Sequence, residues 1–533
     1  MPSWNFTVTV PVPAKWSNMK NRIGIYAALT AVLFLILSFY SCKPARPEFP
    51  FREEGYWKKQ GLEDIILYWT QYAADREHGG FHTTLDRQWK PYGDSMRYPS
   101  MVARHLFGYS AAYLMSGDPA HLETAKQLKD YLLNVAWDKA HGGFYDMLTV
   151  SGEAARANKN IFVQVYSITG LVMYYFITLD PEVLKYIREA NSLLETKAWD
   201  PVSGGYFDEL NPDWTVVDSS KSFSSVITPV SGYLLYLYLA TRDEVYLGQA
   251  ERIMNTVLDK MRDKDSGWIL ESFDRDWNYK APPPTVTEIN TGHNIETAWM
   301  LLRLHLLHPN DRFEKEALSL AEAIHRSGLD TGSGVWFASH AKDHSGGHAD
   351  FSYWWIQEYG MMFDLCLFKG TGREEYLSLF DLGAAFWDKF YIDREYGDTY
   401  LGVFLDGRIK DGTKANRFKA SYHNMETSLL NYLYTALWVN RRPVQLHFKI
   451  TAARTGDLLY PLPIEDLDLI IKSVHLDGKV YTETDPALKA VRLPELKEGR
   501  VIVEIGKPGT PGLRSLRFHT IVYLSIYSNK SPG

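Results

Sequence analysis

Gly205-Tyr206-Phe207-Asp208-Glu209-Leu210 is a glycine, two aromatics and a short alternating run. It has counterparts along the chain. A glycine beside an aromatic recurs as Gly80-Phe81, Gly143-Phe144, Gly267-Trp268, Gly334-Val335-Trp336 and, more loosely, Tyr396-Gly397, at steps of 62 to 67 residues. A repeat of that length accommodates two helices and a long loop, so the spacing predicts a ring of six helical hairpins.

Working outward from the turns, helical periodicity runs in twelve segments, starting near Tyr56, Met96, Asp118, Lys159, Asp180, Lys221, Asp243, Gly292, Asp311, Asp350, Gly372 and Ser421. Asp118-Pro119, Asp180-Pro181 and Asn310-Asp311 are start signals, because a short polar side chain can cap free backbone donors. The segments that follow the turns, such as Ile161 to Tyr175, are apolar on every side, whereas partners such as Glu123 to Lys129 are amphipathic. A helix apolar all round is buried. The expectation is therefore an all-α (α/α)6 barrel over residues 55–440, with its ligand site at the rim where the glycine loops crowd together. After Val439 the pattern changes to strand-like runs, Val444 to Ile450, Val501 to Ile505 and Thr520 to Leu524, which predict a small β-sandwich-like domain over 443–533. That domain reads as a structural cap or a carbohydrate-binding module, the cap being preferred.

The amino terminus reads as an export signal over 1–42, with a linker over 43–54. Ile23 to Tyr40 is nearly all apolar and follows Lys20 and Arg22, so a start at Met19 gives the more compact signal. Cys42 just beyond it resembles a lipid-modified cysteine; a plain apolar anchor is the alternative. Either places the rest of the protein outside the cytoplasm at a bacterial cell envelope, and the Cys42 reading makes it a periplasmic or surface lipoprotein. The second cysteine, Cys366, then reads as core packing. With a formal net charge of -7, the chain has no signature of nucleic-acid binding.

Two short runs carry the chemistry. His293-Asn294-Ile295-Glu296 and His423-Asn424-Met425-Glu426 each open an inner helix, with both histidines 26 residues after their repeat's glycine. Equal offsets place two imidazoles on one rim, and histidine can both take and return a proton near neutrality. Around them the other inner helices bring Arg97, Arg104, Lys159, Gln164, Tyr166, Trp354, Trp355, Gln357 and Glu358, while Glu296 lies on the histidine's own helical face. Aromatic faces beside charged hydrogen-bonding groups suit a carbohydrate. His344 and His348 stand four apart only in a glycine-rich loop, so no metal site is expected.

The ordered motifs resemble the N-acylglucosamine 2-epimerase family, which includes cellobiose 2-epimerases and mannose-type aldose-ketose isomerases. They are Gly79-Gly80-Phe81, Ala103-Arg104-His105-Leu106-Phe107, Lys159 to Tyr166, Gly292 to Glu296, Trp354-Trp355-Ile356-Gln357 and Lys419 to Asn424. The resemblance implies His293 and His423 as an acid/base pair, Arg104 at the sugar oxygen near the reacting carbon, and C2 proton removal and return through an enediol without a cofactor. The chain departs from the pattern in four places. Thr228 stands where cellobiose epimerases and mannose-type isomerases carry a third histidine, Glu426 where many members carry arginine, Phe418 where cellobiose epimerases carry tryptophan, and Glu358 lies one place from the family's acid.

Two other readings stay open at this level. One is a glycoside hydrolase on the same barrel, drawing two opposed carboxylates from Asp208, Glu271, Glu296 and Glu358. The other is a catalytically silent glycan-binding protein of the envelope.

Overall fold

The computed structural model describes residues 49–510 apart from 94–95, 284–286 and 344. The apolar amino-terminal run, Met19, Cys42, His344 and the Thr520 to Leu524 run lie outside the described residues. The described residues from Phe51 to Thr510 form one compact unit.

Six buried helices follow the glycine turns: α2 (Pro99–Ser116), α4 (Ile161–Thr178), α6 (Phe223–Thr241), α8 (Thr291–Leu307), α10 (Trp354–Thr371) and α12 (Tyr422–Tyr434, extended by a wide turn over Thr435–Val439). Six others precede the turns. These are α1, beginning as Glu54–Lys59, then α3 (Pro119–Tyr131), α5 (Pro181–Leu193), α7 (Glu244–Thr256), α9 (Asp311–Gly328) and α11 (Glu374–Phe386). The expected caps are in place: Asp118, Asp180 and Asn310 each accept hydrogen bonds from backbone N–H groups of the first helical turn. α6 is interrupted around Pro229, which has no N–H to give the helix, and it resumes through a wide turn over Val230–Leu234.

The inner helices pack each on the next, from α2 through α12 and back to α2. Antiparallel pairing at the rim follows the same circle. Arg97 pairs with Leu148, Lys159–Asn160 with Glu209–Leu210, Lys221–Ser222 with Ser272–Phe273, Ile289–Asn290 with Ser339–His340, Phe351–Tyr353 with Gly402–Phe404, and Ala415 with Leu85. Each strand before an inner helix thus meets the strand that follows the next repeat's turn, and the last pairing joins the sixth repeat to the first. Close approach demands glycine where helices touch: a Cβ on Gly170 would lie 2.1 Å from the carbonyl oxygen of Ala103.

Beyond the helices, a four-stranded antiparallel sheet contains Val444–Ile450, Gly499–Gly506, Ile470–Leu476 and Lys479–Tyr481 in that order, beside a three-stranded sheet of Leu458–Leu459, Ala490–Arg492 and Thr484–Asp485. The first strand packs against α2 and α4, and Thr451 N–H donates to the carbonyl of Thr178 at 3.0 Å. Thr178 is the last residue of α4, so this sheet sits at the end opposite the glycine turns.

Candidate active site

His293 sits in the first turn of α8, where the Asn290 side chain caps its backbone N–H at 3.1 Å. Its ring lies parallel to Phe223, with centroids 3.8 Å apart and planes 8° apart, and its Nδ1 shares a hydrogen bond with the Glu271 carboxylate. A carboxylate only accepts, so Nδ1 carries the proton. His423 opens α12 and is surrounded by aromatic rings: Tyr422 at 4.8 Å, Tyr359 at 5.3 Å and Trp354 at 5.8 Å. Trp355 joins the two sites, its ring 5.3 Å from His293 and 6.4 Å from His423.

The two imidazoles have opposite electrostatic surroundings. Burial pulls His293 down, but the charge and hydrogen bond of Glu271, with Glu296 behind it, more than offset that and hold it above the ordinary histidine value. Burial pushes His423 well below that value, and the Arg104 guanidinium pushes the same way. The buried Nδ1 of His423 has no hydrogen-bond partner among the described residues. One ring is thus suited to hold a proton near neutrality and the other to accept one.

Arg104 lies over the Tyr166 ring at 3.8 Å, and its Nη1 donates to the carbonyl of Phe418 at 2.6 Å. The Phe418 side chain is half exposed at the rim. Glu296 is buried; desolvation raises its carboxyl above the usual range against the opposing pull of His293, the Ser231 hydroxyl and Arg104. Glu426 is pushed up to about 7, chiefly by burial, while accepting hydrogen bonds from Tyr236 at 2.6 Å and Tyr422 at 3.1 Å.

The structure brings His293, His423, Arg104, Tyr166, Glu296, Trp354, Trp355 and Phe418 together. Of five other residues expected at the sugar, four have hydrogen-bonding partners elsewhere and one is enclosed in the core. Lys159 is fully buried with its Nζ 2.7 Å from Asp138, and Arg97 is ion-paired with Asp75. The Gln164 amide accepts from the Phe144 N–H at 2.8 Å and donates to the Phe144 carbonyl at 2.7 Å. Gln357 clamps its own repeat's turn through Trp336 and Gly334. Glu358 is fully buried, with Asp398, Lys419 and Glu426 as its charged neighbours.

These contacts recur from repeat to repeat. Lys221 pairs with Asp200, Lys414 with Asp393 and Lys419 with Asp398, each, like Lys159 and Asp138, 21 positions apart. Asn294 holds Ile269 as Gln164 holds Phe144. An aspartate shortly before the turn with a lysine 21 residues on, present in the second, third and sixth repeats, was a readable signal for these pairs. Glu271, considered only as a hydrolase carboxylate, is the histidine's partner, and Asp208 is hydrogen-bonded by Ser222 at 2.6 Å. Phe223, Tyr359 and Tyr422 were missed because an aromatic in a buried helix reads as ordinary core. Cys366 is buried in α10, in keeping with a packing role. Among the described residues no group of three or more His, Cys, Asp or Glu is placed to hold a metal.

Residues 79–427 match the family model of N-acylglucosamine 2-epimerase (GlcNAc 2-epimerase). The chain belongs to this family. Membership places it among enzymes of the epimerase and isomerase class. A cellobiose 2-epimerase of Bacteroides fragilis is 27% identical over 388 residues, covering 69% of this chain and 95% of that protein. Two solved structures share the fold. A cellobiose 2-epimerase from Spirochaeta thermophila has a TM-score of 0.66 at 23% identity, covering 74% of this chain and 98% of the other. A D-mannose isomerase has a TM-score of 0.66 at 22% identity, covering 72% and 98%. The family match ends at residue 427, before the carboxy-terminal sheets.

An open cleft of about 950 Å³ lies at the other end of the molecule, between Tyr175, Leu179 and Thr241 and the loop carrying Arg454 and Asp457. It contains neither histidine.

Proposed function

We propose that this chain, on an (α/α)6 barrel, is a sugar 2-epimerase or aldose-ketose isomerase of a reducing mono- or oligosaccharide. The observation that carries this is the contact of one indole, Trp355, with two imidazoles of opposite electrostatic character. The open-chain sugar lies between them. Neutral His423 takes the C2 proton, the C–H electron pair forms the C1–C2 double bond, and the carbonyl pair moves onto O1, giving an enediolate whose charge Arg104 balances. Protonated His293 returns a proton to the opposite face of C2 as the carbonyl re-forms at C1, giving the epimer; for the ketose the O2 proton passes to O1, the carbonyl forms at C2, and C1 takes the proton. Glu271 stabilises the charged imidazole, and Arg104 supplies the fixed positive charge that favours the enediol.

Three of the four carboxylates considered for a hydrolase are otherwise engaged, Glu271 by His293 and Asp208 by Ser222, with Glu358 enclosed in the core, which leaves Glu296 in the site without an opposed partner. The isomerase reading is tested by incubating the protein with a panel of reducing mono- and disaccharides in D2O and reading the C2 position by NMR. Deuterium at C2 is expected, whereas glycosidic cleavage without exchange would overturn the reading. The proposal includes export to the cell envelope with Cys42 as the lipid attachment point, checked by metabolic labelling with a fatty acid and its loss in Cys42→Ser.

A further inference from the structure

The carboxy-terminal domain sends a buried segment under the helical ring. Leu462, Ile464, Glu465 and Asp466 are all nearly or fully inaccessible, and Asp466 is fastened by Trp438 Nε1 at 2.9 Å and Lys369 Nζ at 3.2 Å. Beside it, Glu465 accepts from Nε of Arg303 on α8 at 2.8 Å and from its Nη2. Both side chains are fully buried, so each needs the other: a charge left alone in the interior costs several kcal/mol.

Two lines of contact lead from Arg303 toward the rim. Its guanidinium lies 4.9 Å from the Trp299 ring; Trp299 meets Tyr359 at 5.3 Å, and Tyr359 meets His423 at 5.3 Å. On the other side it lies 5.2 Å from Tyr236, whose hydroxyl donates to Glu426; Glu426 also accepts from Tyr422, which meets His423 at 4.8 Å. Both lines end on the same imidazole.

We propose that Glu465 is a positioning residue for His423, acting through Arg303, and that the carboxy-terminal domain serves the active site by supplying this counter-ion from below. The position lies beyond the family match, which ends at residue 427, so the device belongs to this chain's added domain. Replaced together by an apolar pair of similar volume, Arg303 and Glu465 are expected to leave the fold intact, because such replacement of a buried ion pair is often neutral or stabilising. Their contribution is to hold Tyr236, Trp299 and the residues they touch in the arrangement that aims His423. This rests on the assignment of His423 in the proposed function.

The test uses the full chain with labelled histidine, the His423 imidazole resonance being identified by its loss in His423→Gln. Glu465→Gln and the double variant Arg303→Met with Glu465→Leu are compared with wild type by unfolding temperature, imidazole chemical shift, and kcat and KM for C2 deuterium exchange. The double variant should fold, its His423 resonance should shift while that of His325, bonded to Asp364 at 2.7 Å, stays in place, and kcat should fall at least tenfold with KM within twofold. An unmoved His423 resonance, or wild-type kcat, in the folded double variant overturns the proposal. Failure of that variant to fold also overturns it, in favour of a purely structural plug. If wild type itself shows no exchange, the isomerase reading fails, while the imidazole shift still reports whether Glu465 sets the surroundings of His423.

Discussion

Glu271, on the loop just after the fourth glycine turn, and His293, 22 positions later in the same repeat, meet in a hydrogen bond between a carboxylate and Nδ1 that fixes which edge of the imidazole carries the free nitrogen. Phe223 stacks on that ring and removes its remaining freedom to turn. The orientation of one histidine is thereby set by residues on two neighbouring elements.

Removing the charge of Glu271 should expose its role. Glu271→Gln keeps a hydrogen-bonding group but takes away the anion that opposes desolvation of His293, so the proton is held less tightly. The limb of the kcat/KM profile that reports deprotonation of His293 is expected to move to lower pH, with kcat at neutral pH down by about tenfold to a hundredfold. A profile superimposable on wild type would mean that Glu271 does not tune the acid.

The histidines themselves should be needed for turnover far more than for binding. His293→Asn and His423→Asn are each expected to lower kcat by about 10²- to 10⁴-fold. Binding of a non-exchanging sugar alcohol, read by calorimetry, should change little. Equal losses in affinity and turnover would instead mark them as ligand-binding groups.

Lys159 separates a structural cation from a sugar-binding one. Lys159→Met leaves Asp138 buried without its partner, so unfolding free energy is expected to fall by about 3 kcal/mol, seen as an earlier urea midpoint. KM should stay within about twofold. A selective rise in KM at unchanged stability would return Lys159 to the substrate.

Gly143 should tolerate nothing larger than itself. Its φ is +70°, and a Cβ there would lie 2.5 Å from the Trp214 ring and 2.8 Å from the Gln164 amide oxygen that clamps the turn. Gly143→Ala is therefore expected to cost about 2 kcal/mol or more, through backbone strain and the displaced clamp. Thermal unfolding of the variant measures this directly.

Acid should destabilise the fold through its neutral buried histidines. Burial pushes His105 down to about 3 and His423 well below the ordinary value. As pH falls below about 6.5 the unfolded chain takes up protons at these positions that the folded one does not, so stability is lost with decreasing pH. Each contributes a slope of about 1.4 kcal/mol per pH unit between the unfolded and folded values. His293, with its raised pKa, works the other way: its contribution is present below the unfolded value and is lost as pH rises through the folded one. Urea midpoints at pH 7 and 5 should differ accordingly, and the fall should shrink in His105→Phe.

Much of the architecture was readable before any coordinates. The steps between glycine turns determined the repeat, the apolar and amphipathic segments determined which helices are enclosed, and every helix start lies within a few residues of its expected position. The equal offsets of His293 and His423 placed both at the start of an inner helix, because a repeat that conserves length also conserves height along the ring.

Tertiary structure alone decided what each polar side chain does there. Lys159 and Arg97 on one hand, and Arg104 on the other, look alike in sequence as cations near the rim. In space, the first two end on aspartates of their own turns, and the third lies over Tyr166 beside the histidines. Gln164 and Gln357 likewise turn back onto backbone, since a sharp buried turn leaves N–H and carbonyl groups that must be satisfied. Sequence by itself determined the ring and the pair of histidines upon it. The partners that keep one imidazole protonated and the other neutral are Glu271, 22 positions before its histidine, and Arg104, five repeats away from its own, and only folding brings their charges close enough to act.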